Sequence, residues 1–147
     1  MTINEERIMN SSQKNLWLRK VLLVKVIITF LLWGLPALLA PPAFLALFGI
    51  AMPTDPIFLR LFGAVVSAVG VAYWYAYRDP IKNIAILKFG VVDNGLVTLT
   101  IIIIGLTVGI SSWFFWLSAA MTAFFFIALI SLMPREQTKQ HPITNSK

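Results

Sequence analysis

The feature that most constrains this chain is a series of four apolar blocks, each close to the ~20 residues that a helix needs to cross ~30 Å of hydrocarbon. Separated by short connections, the blocks cover residues 17–40, 58–77, 84–110 and 113–132. The chain is 59% hydrophobic and 12% charged, whereas about 25% of the residues of a soluble domain are charged. The sequence therefore predicts an all-α membrane protein. It forms a four-transmembrane-helix bundle that makes one integral membrane domain over residues 1–147, with polar tails at 1–16 and 134–147.

The positions of the cations predict the orientation of these helices. The formal net charge is +6, and eleven of the twelve Lys and Arg residues precede or enter the first block, surround the second connection or follow the last block. The positive-inside rule assigns that side to the cytoplasm, and Arg60 is the exception. We therefore expect both termini to be cytoplasmic in a bacterial inner (plasma) membrane. Because the membrane accounts for the basic charge, the expected partner is the lipid bilayer and not nucleic acid.

The connection between the first and second spans contains signals for a further helix. Gly34-Leu35-Pro36 places a proline inside the first span and predicts a kink. Pro41-Pro42 then ends that helix, and residues 42–49 begin with proline and end with Gly49, as a short helix does. Eight residues rise only ~12 Å, which is too little to cross. The prediction is a short interfacial or re-entrant helix at the outer face, and the alternative is an apolar loop packed on the bundle.

Small residues recur at helical spacing in the second and third spans. Gly63, Ser67 and Gly70 are four and three residues apart, and Gly105 and Gly109 are four apart. Small residues at this spacing let helices approach closely in lipid, so we interpret all five as helix-packing positions. Homodimerisation through Gly105 and Gly109 is the alternative, because the sequence alone does not say whether the partner helix is in the same chain.

Aromatic residues cluster where the ends of the spans are expected. Residues 73–77 and 113–116 each contain three or more aromatic side chains. Such clusters are typical of the belts that anchor a membrane protein at the interface. A ligand cage is the alternative interpretation.

Asp93 is the one acidic residue inside an apolar block. Carboxylates inside a membrane are costly and mark either a proton or ion path or a buried ion pair. Lys25 lies at a compatible depth in the first span, so the preferred interpretation is a Lys25–Asp93 ion pair to which Asn94 adds a hydrogen bond. Lys88 is the alternative cation, and a proton or cation site at Asp93 is the alternative function.

Arg60 lies one turn into the second span, near the outer surface. It is expected to reach lipid headgroups or to pair with Asp55. The alternative is an anion or headgroup pocket between Arg60 and the helix at residues 42–49.

The sequence contains no recognisable catalytic arrangement. There are no cysteines, and the single histidine, His141, lies in the polar tail, so we expect no metal, haem or other cofactor. A serine or threonine nucleophile needs a base within hydrogen-bond reach, and neither Ser67 nor Thr98 has a recognised partner. The protein is therefore predicted not to be an enzyme.

The stretch LFGIAMPTDPIFLRLFGAVVSAVGVAYWYAYRDP, residues 47–80, resembles the first loop and second helix of small, DoxX-like four-helix bacterial membrane proteins. In those proteins an outer Phe-Gly segment is followed by arginine, a glycine-rich helix and a basic turn such as Arg78-Asp79-Pro80. The resemblance covers about a quarter of the chain. It implies a four-helix bundle in a bacterial inner membrane, and it implies little about activity.

The sequence leaves two functional hypotheses. The first is a non-enzymatic accessory or scaffold component of a membrane complex, acting through its helix faces as a homodimer or in a larger assembly. The second is a small transporter or a lipid- or anion-binding protein that uses Arg60 and Asp93. The two differ in the surroundings of Asp93, which faces a cavity in a carrier and is paired and dry in a scaffold.

Overall fold

The computed structural model describes the backbone of residues 3–134 and the side chains of residues 12–134, and every regular element in that range is helical. The tail predicted after Pro134 lies outside the described residues, as do the basic residues and His141 that it contains. In chain order the elements are α1 (Ile3–Ile28), a π-helical segment (Thr29–Gly34), α2 (Leu35–Leu39), α3 (Pro42–Ala46), α4 (Ile57–Arg78), α5 (Ile84–Thr107) and α6 (Trp113–Leu132).

Four helices in the described range are long and apolar enough to cross a membrane. They are Ser12–Leu39, Ile57–Arg78, Ile84–Thr107 and Trp113–Leu132, with lengths of 28, 22, 24 and 20 residues. This confirms the prediction of an all-helical, multi-pass membrane protein with four spans. An α-helix satisfies its own backbone hydrogen bonds, which lipid cannot do, so the length of an apolar block predicts its structure well.

A kink is predicted at Pro36, and the structure has a π segment just before it. The backbone N–H of Leu35 donates to the carbonyl of Phe30, five residues back, instead of the usual four. A proline in a regular helix cannot donate and clashes with the carbonyl four residues back, and a wider turn just before it accommodates both defects.

Helix α3 falls within the segment predicted to form a short helix. Its first residue is Pro42, and Gly49 follows it with φ 68°. The N–H of Ile50 donates to the carbonyl of Leu45 and the N–H of Gly49 to that of Ala46, which is the pattern of a Schellman motif. Gly49 therefore ends this segment, because only glycine adopts a positive φ without steric cost.

The spanning helices are arranged in the order α4, α1, α6, α5 around the bundle. Helix α4 packs on α1, the π segment and α2, while α5 packs mainly on α6, and α4 and α5 make few contacts with each other. A core joins all four spans at one end of the bundle, and it consists of Leu18, Leu22, Val26, Tyr73, Ala76, Leu87 and Leu129. We call this the basic end, because it also carries the α4–α5 connection and its cations.

The small residues of α4 face the first span of the same chain. A Cβ added at Gly63 would lie 2.7 Å from the carbonyl carbon of Ala37, and one at Gly70 would lie 2.8 Å from the ring of Phe30. The hydroxyl of Ser67 lies against Gly34. These three positions therefore hold α4 close to α2 and the π segment.

The two glycines of α5 differ in their surroundings. A Cβ added at Gly105 would lie 2.6 Å from the ring of Trp116 in α6. Gly109 lies beyond Thr107, the last residue of α5, with φ 88°, and an added Cβ would meet no described atom within 4 Å. The packing role predicted for Gly109 is thus replaced by helix termination, which explains why the span ends before residue 110. Homodimerisation through this pair stays a prediction.

Candidate functional site

A cavity of about 250 Å³ lies between all four spans. It is partly open to the surface, because Val65 and Phe89 in its lining are 63% and 48% exposed, and we call it the central cavity. Its polar side chains are Lys25, Thr29, Asp93 and Thr122. The remaining lining is apolar and consists of Ile28, Trp33, Phe62, Val65, Val66, Val69, Phe89, Val97, Met121 and Phe125. The π segment supplies Thr29 and Trp33, and such segments are frequent at functional sites.

Lys25 is buried in the wall of this cavity, with 6% of its surface exposed. Its Nζ donates to Oδ1 of Asn94. The ammonium also lies 5.0 Å from the ring centroid of Tyr73 and 4.9 Å from that of Phe125. An amide oxygen and two aromatic faces therefore stabilise the charge.

Asp93 is half-buried and receives its hydrogen bond from tyrosine. The hydroxyl of Tyr73 donates to Oδ2 of Asp93 over 3.0 Å. In the part of the chain that the structure describes, Tyr73 is the only residue that donates to this carboxylate. Nδ2 of Asn94 donates to the carbonyl of Gly90 and lies 3.4 Å from the Tyr73 hydroxyl. Tyr73 and Asn94 thus connect the ammonium to the carboxylate.

The direct Lys25–Asp93 ion pair predicted from their depth is not formed among the described side chains. Consecutive helix residues point about 100° apart, so Asp93 and Asn94 cannot both face α1. The uncharged amide of Asn94 is turned inward and is fully buried, whereas Asp93 is turned towards the cavity. Lys88, the alternative cation, is exposed on α5, and within the described residues it forms no ion pair with Asp93.

Hydroxyl groups join α5 to α6 beside the cavity. The Oγ1 atoms of Thr98 and Thr122 are 2.7 Å apart. One of the two hydroxyls donates to the other, and the second donates to the backbone carbonyl four residues back, which is that of Asn94 for Thr98 and that of Ser118 for Thr122. Thr122 is not among the site residues predicted from the sequence. The sequence signal for this contact is a pair of polar residues four apart in each helix, Asn94 and Thr98 in α5 and Ser118 and Thr122 in α6. Residues four apart lie on the same face of a helix.

Tyr73 also differs from its predicted role. It is fully buried and belongs to the core and to the site, whereas Trp74 and Tyr75 are 43% and 58% exposed. Only its neighbours occupy positions suited to an interfacial belt. At the other end of the bundle, Trp33, Phe48 and Phe114 stack with ring centroids 5.0 and 5.1 Å apart.

Arg60 caps the end of α2 instead of lining the cavity. Its guanidinium donates to the carbonyls of Ala37 and Ala40 over 3.1 and 2.9 Å, which satisfies acceptors left free at a helix C-terminus. Oδ1 of Asp55 accepts the N–H of Ile57 over 3.0 Å, so Asp55 starts α4 and does not pair with Arg60. The structure therefore does not bring Arg60 and Asp93 into one site.

The cavity offers a few polar groups in an apolar wall. Among the described residues, no group of three or more His, Cys, Asp or Glu side chains is placed to hold a metal ion. The walls are apolar, and the ammonium, the carboxylate and the threonine hydroxyls supply a few polar contacts. This combination is typical of pockets that bind small molecules.

Comparison with protein-family models, with curated protein sequences and with solved structures finds no match for this chain. The resemblance to DoxX-like proteins therefore stays a prediction.

Proposed function

We propose that this protein binds a small amphiphilic molecule dissolved in the bilayer, in the central cavity beside Lys25 and Asp93. The observation that carries the proposal is that two side chains of opposite charge lie at the wall of an apolar cavity without pairing directly. Charged side chains inside a membrane are costly and are retained at functional sites. In a scaffold protein we would expect the two charged side chains to form an ion pair and other side chains to fill the cavity.

The size of the cavity restricts the ligand. An apolar cavity of about 150 Å³ holds benzene, whereas drug-sized ligands occupy roughly 300 to 1,000 Å³. At about 250 Å³, this cavity accommodates a ring system or short chain with one polar group. A whole phospholipid does not fit.

The charges of the cavity favour an uncharged polar group on the ligand. Lys25 and Asp93 are of opposite sign and together contribute no net charge, so a charged ligand would introduce a buried charge without compensation. A hydroxyl group can accept a hydrogen bond from an ammonium and donate one to a carboxylate. The ligand class is therefore a hydroxylated or similarly polar small apolar molecule. The sparse contact between α4 and α5 provides its route from the bilayer.

The test uses 2-naphthol, a bicyclic apolar molecule with one hydroxyl group, and the purified protein in lipid nanodiscs. Val97→Phe fills the cavity from α5. Val92→Phe adds the same group to the same helix at a position that is 59% exposed and outside the cavity. We expect saturable fluorescence-detected binding to the unmodified chain and to Val92→Phe, and at least a tenfold loss in Val97→Phe. Equal binding by all three, at the level of empty nanodiscs, would contradict the proposal.

The accessory or scaffold role in a membrane complex stays a separate prediction. It is tested by identifying the proteins that co-purify after extraction in mild detergent. A stoichiometric partner retained by Val97→Phe would support a role that does not depend on the cavity.

We also propose that both termini are cytoplasmic in a bacterial inner membrane and that α3 lies at the outer face. The support comes from the cations of the basic end, which are Lys14, Arg19, Lys20, Arg78, Lys82 and Lys88. Alkaline phosphatase fused after Ser112 should be active and after Arg78 inactive. Activity after Arg78 would overturn this orientation.

A further inference from the structure

A second depression, of about 520 Å³, lies on the surface of the bundle where α4 and α5 separate. It is lined by apolar side chains only, and the small side chains of Ala68, Ala72 and Ala85 leave the space that forms it. Val65, Val69 and Phe89 line both this groove and the central cavity. The α4–α5 groove and the central cavity therefore adjoin, and the groove is the part that faces hydrocarbon.

The groove and its continuation to Tyr75 together correspond to one leaflet of a bilayer. The lining on α4 runs from Val65 to Ala72, or ~10 Å at ~1.5 Å per residue, and Tyr75 lies ~5 Å further along the helix. Half of the hydrocarbon core, which is ~30 Å thick, is ~15 Å, so this surface extends from the middle of the bilayer to one interface. An acyl chain of that leaflet covers the same depth.

The interfacial end of the groove carries positive charge and hydrogen-bond donors. Continuing the groove face of α4 by three residues from Ala72 leads to Tyr75, which is 58% exposed. Lys82 lies in the α4–α5 connection, three residues before Ala85, and its side chain is 84% exposed. Lys82 lies 3.5 Å from Asp79 in a surface ion pair, a type of contact that contributes little. Arg78, the last residue of α4, adds a second cation at this end of the bundle.

We propose that the α4–α5 groove binds one anionic phospholipid of the leaflet at the basic end. An acyl chain lies along Ala68, Ala72 and Ala85, and the phosphate is bound by Lys82 and the Tyr75 hydroxyl. This site is distinct from the central cavity and does not depend on a ligand there.

A second copy of the chain is the competing occupant, since small residues also favour helix packing. Two copies related by a two-fold axis along the membrane normal would bring the same surface patch together. The cations of the two α4–α5 connections would then lie side by side and repel. An anionic headgroup instead complements them, so the charge distribution favours the lipid.

The test titrates delipidated protein in detergent with dioleoylphosphatidylglycerol or dioleoylphosphatidylcholine and counts bound lipids by native mass spectrometry. The expectation is one phosphatidylglycerol per chain, bound more tightly than phosphatidylcholine. Lys82→Gln should weaken phosphatidylglycerol binding about fivefold, the loss expected for one cation near an anionic lipid. It should weaken phosphatidylcholine binding less, because the choline cation offsets the charge of that phosphate. The matched control is Lys20→Gln, which removes an exposed cation of the basic end on α1 and should change binding less than twofold.

The acyl-chain contact is tested separately by filling the groove. Ala68→Phe and Ala85→Phe add a ring from opposite walls at exposed positions, so both variants should fold, and thermal unfolding checks that they do. Both substitutions should weaken the binding of phosphatidylglycerol and of phosphatidylcholine to the same extent.

Three outcomes would overturn the proposal. Equal losses for Lys82→Gln and Lys20→Gln would show diffuse attraction to the basic end. Unchanged lipid binding in both filled variants would show that the acyl chain binds elsewhere. A dimer in the unmodified protein that dissociates in Ala68→Phe would show that a second copy occupies the groove.

Discussion

Replacing Asn94 with leucine should isolate the buried ammonium of Lys25. Leucine has a similar volume but offers no acceptor, so the hydrogen bond from Nζ to Oδ1 is lost. Hydrogen bonds to charged groups contribute about 1.5 to 3 kcal/mol. Lys25 is 6% exposed and lies between the rings of Tyr73 and Phe125, so it cannot reach the interface without repacking these rings. We expect Asn94→Leu to lower the free energy of unfolding by about 2 to 3 kcal/mol.

The appropriate comparison is a polar contact of the same bundle that involves no charge. Hydrogen bonds between uncharged side chains in membrane proteins contribute about 0.6 kcal/mol on average. Thr98→Val removes the contact between Thr98 and Thr122 and is nearly isosteric. We expect it to cost about 0.6 kcal/mol. The charge on Lys25 accounts for the difference between the two substitutions.

The measurement is reversible unfolding in mixed micelles, combined with double-mutant cycles. Once Lys25→Met removes the ammonium, Asn94→Leu should cost at least about 1 kcal/mol less than it does alone, because there is no charge left to isolate. The cycle between Lys25 and Asp93 should show a weaker coupling, below about 0.5 kcal/mol. The reasoning is refuted if Asn94→Leu costs no more than Thr98→Val, or if Lys25 couples more strongly to Asp93 than to Asn94.

Three further substitutions test other parts of the structure. Gly63→Ala forces a Cβ against the backbone of α2 and should cost about 1 to 3 kcal/mol, whereas Gly95→Ala, whose Cβ meets only a phenylalanine ring at 3.1 Å, should cost less in the same unfolding assay. Asp93→Asn keeps an acceptor for tyrosine and should change stability by less than about 1 kcal/mol, but it loses a charge-assisted contact and should weaken 2-naphthol binding about fivefold. The backbone N–H of Lys82 donates to Asp79 and holds the pKa of its carboxyl below the ordinary value of 3.8. Because this pKa is lower in the folded than in the unfolded protein, the ionised carboxylate stabilises the fold at a pH above the unfolded-state pKa. This stabilisation is lost as the pH falls through the folded-state pKa. Thermal stability should therefore decline below about pH 3.8, and Asp79→Asn should remove that part of the decline.

The sequence predicted the spans well because membrane crossing depends on local properties. Apolar length and the need for internal hydrogen bonds fix each helix without reference to its neighbours. The end of the segment 42–49 at Gly49 was predictable for the same reason, since a positive φ is a local requirement. The end of the third span was placed too late because Gly109 has the spacing of a packing glycine but ends the helix. Spacing alone does not separate these two roles.

The sequence predicted how deep the site residues lie in the membrane, but not the direction in which their side chains point. Counting residues from the interface placed Lys25 and Asp93 at the same level, and both do line the central cavity. Which of two consecutive residues faces α1 depends on the rotation of α5, and a rotation of one residue exchanges Asp93 for Asn94. Tyr73 was assigned to an interfacial belt for a related reason. Its sequence neighbours face outward, but one position of rotation buries its ring against Lys25.

The cavity forms because α4 and α5 each pack closely on a different helix and only sparsely on each other. Gly63, Ser67 and Gly70 hold α4 against the π segment and α2, while Trp116 over Gly105 and the contact between the two threonines hold α5 against α6. Each of these helices has its closest approach to a different partner, so α4 and α5 separate where consecutive helices would otherwise pack. Lys25, Asn94 and Tyr73 then fill the basic end of the gap, and the remaining space is the cavity. Such a cavity is a property of helix pairs and not of any one helix, so it becomes visible only once the bundle is assembled.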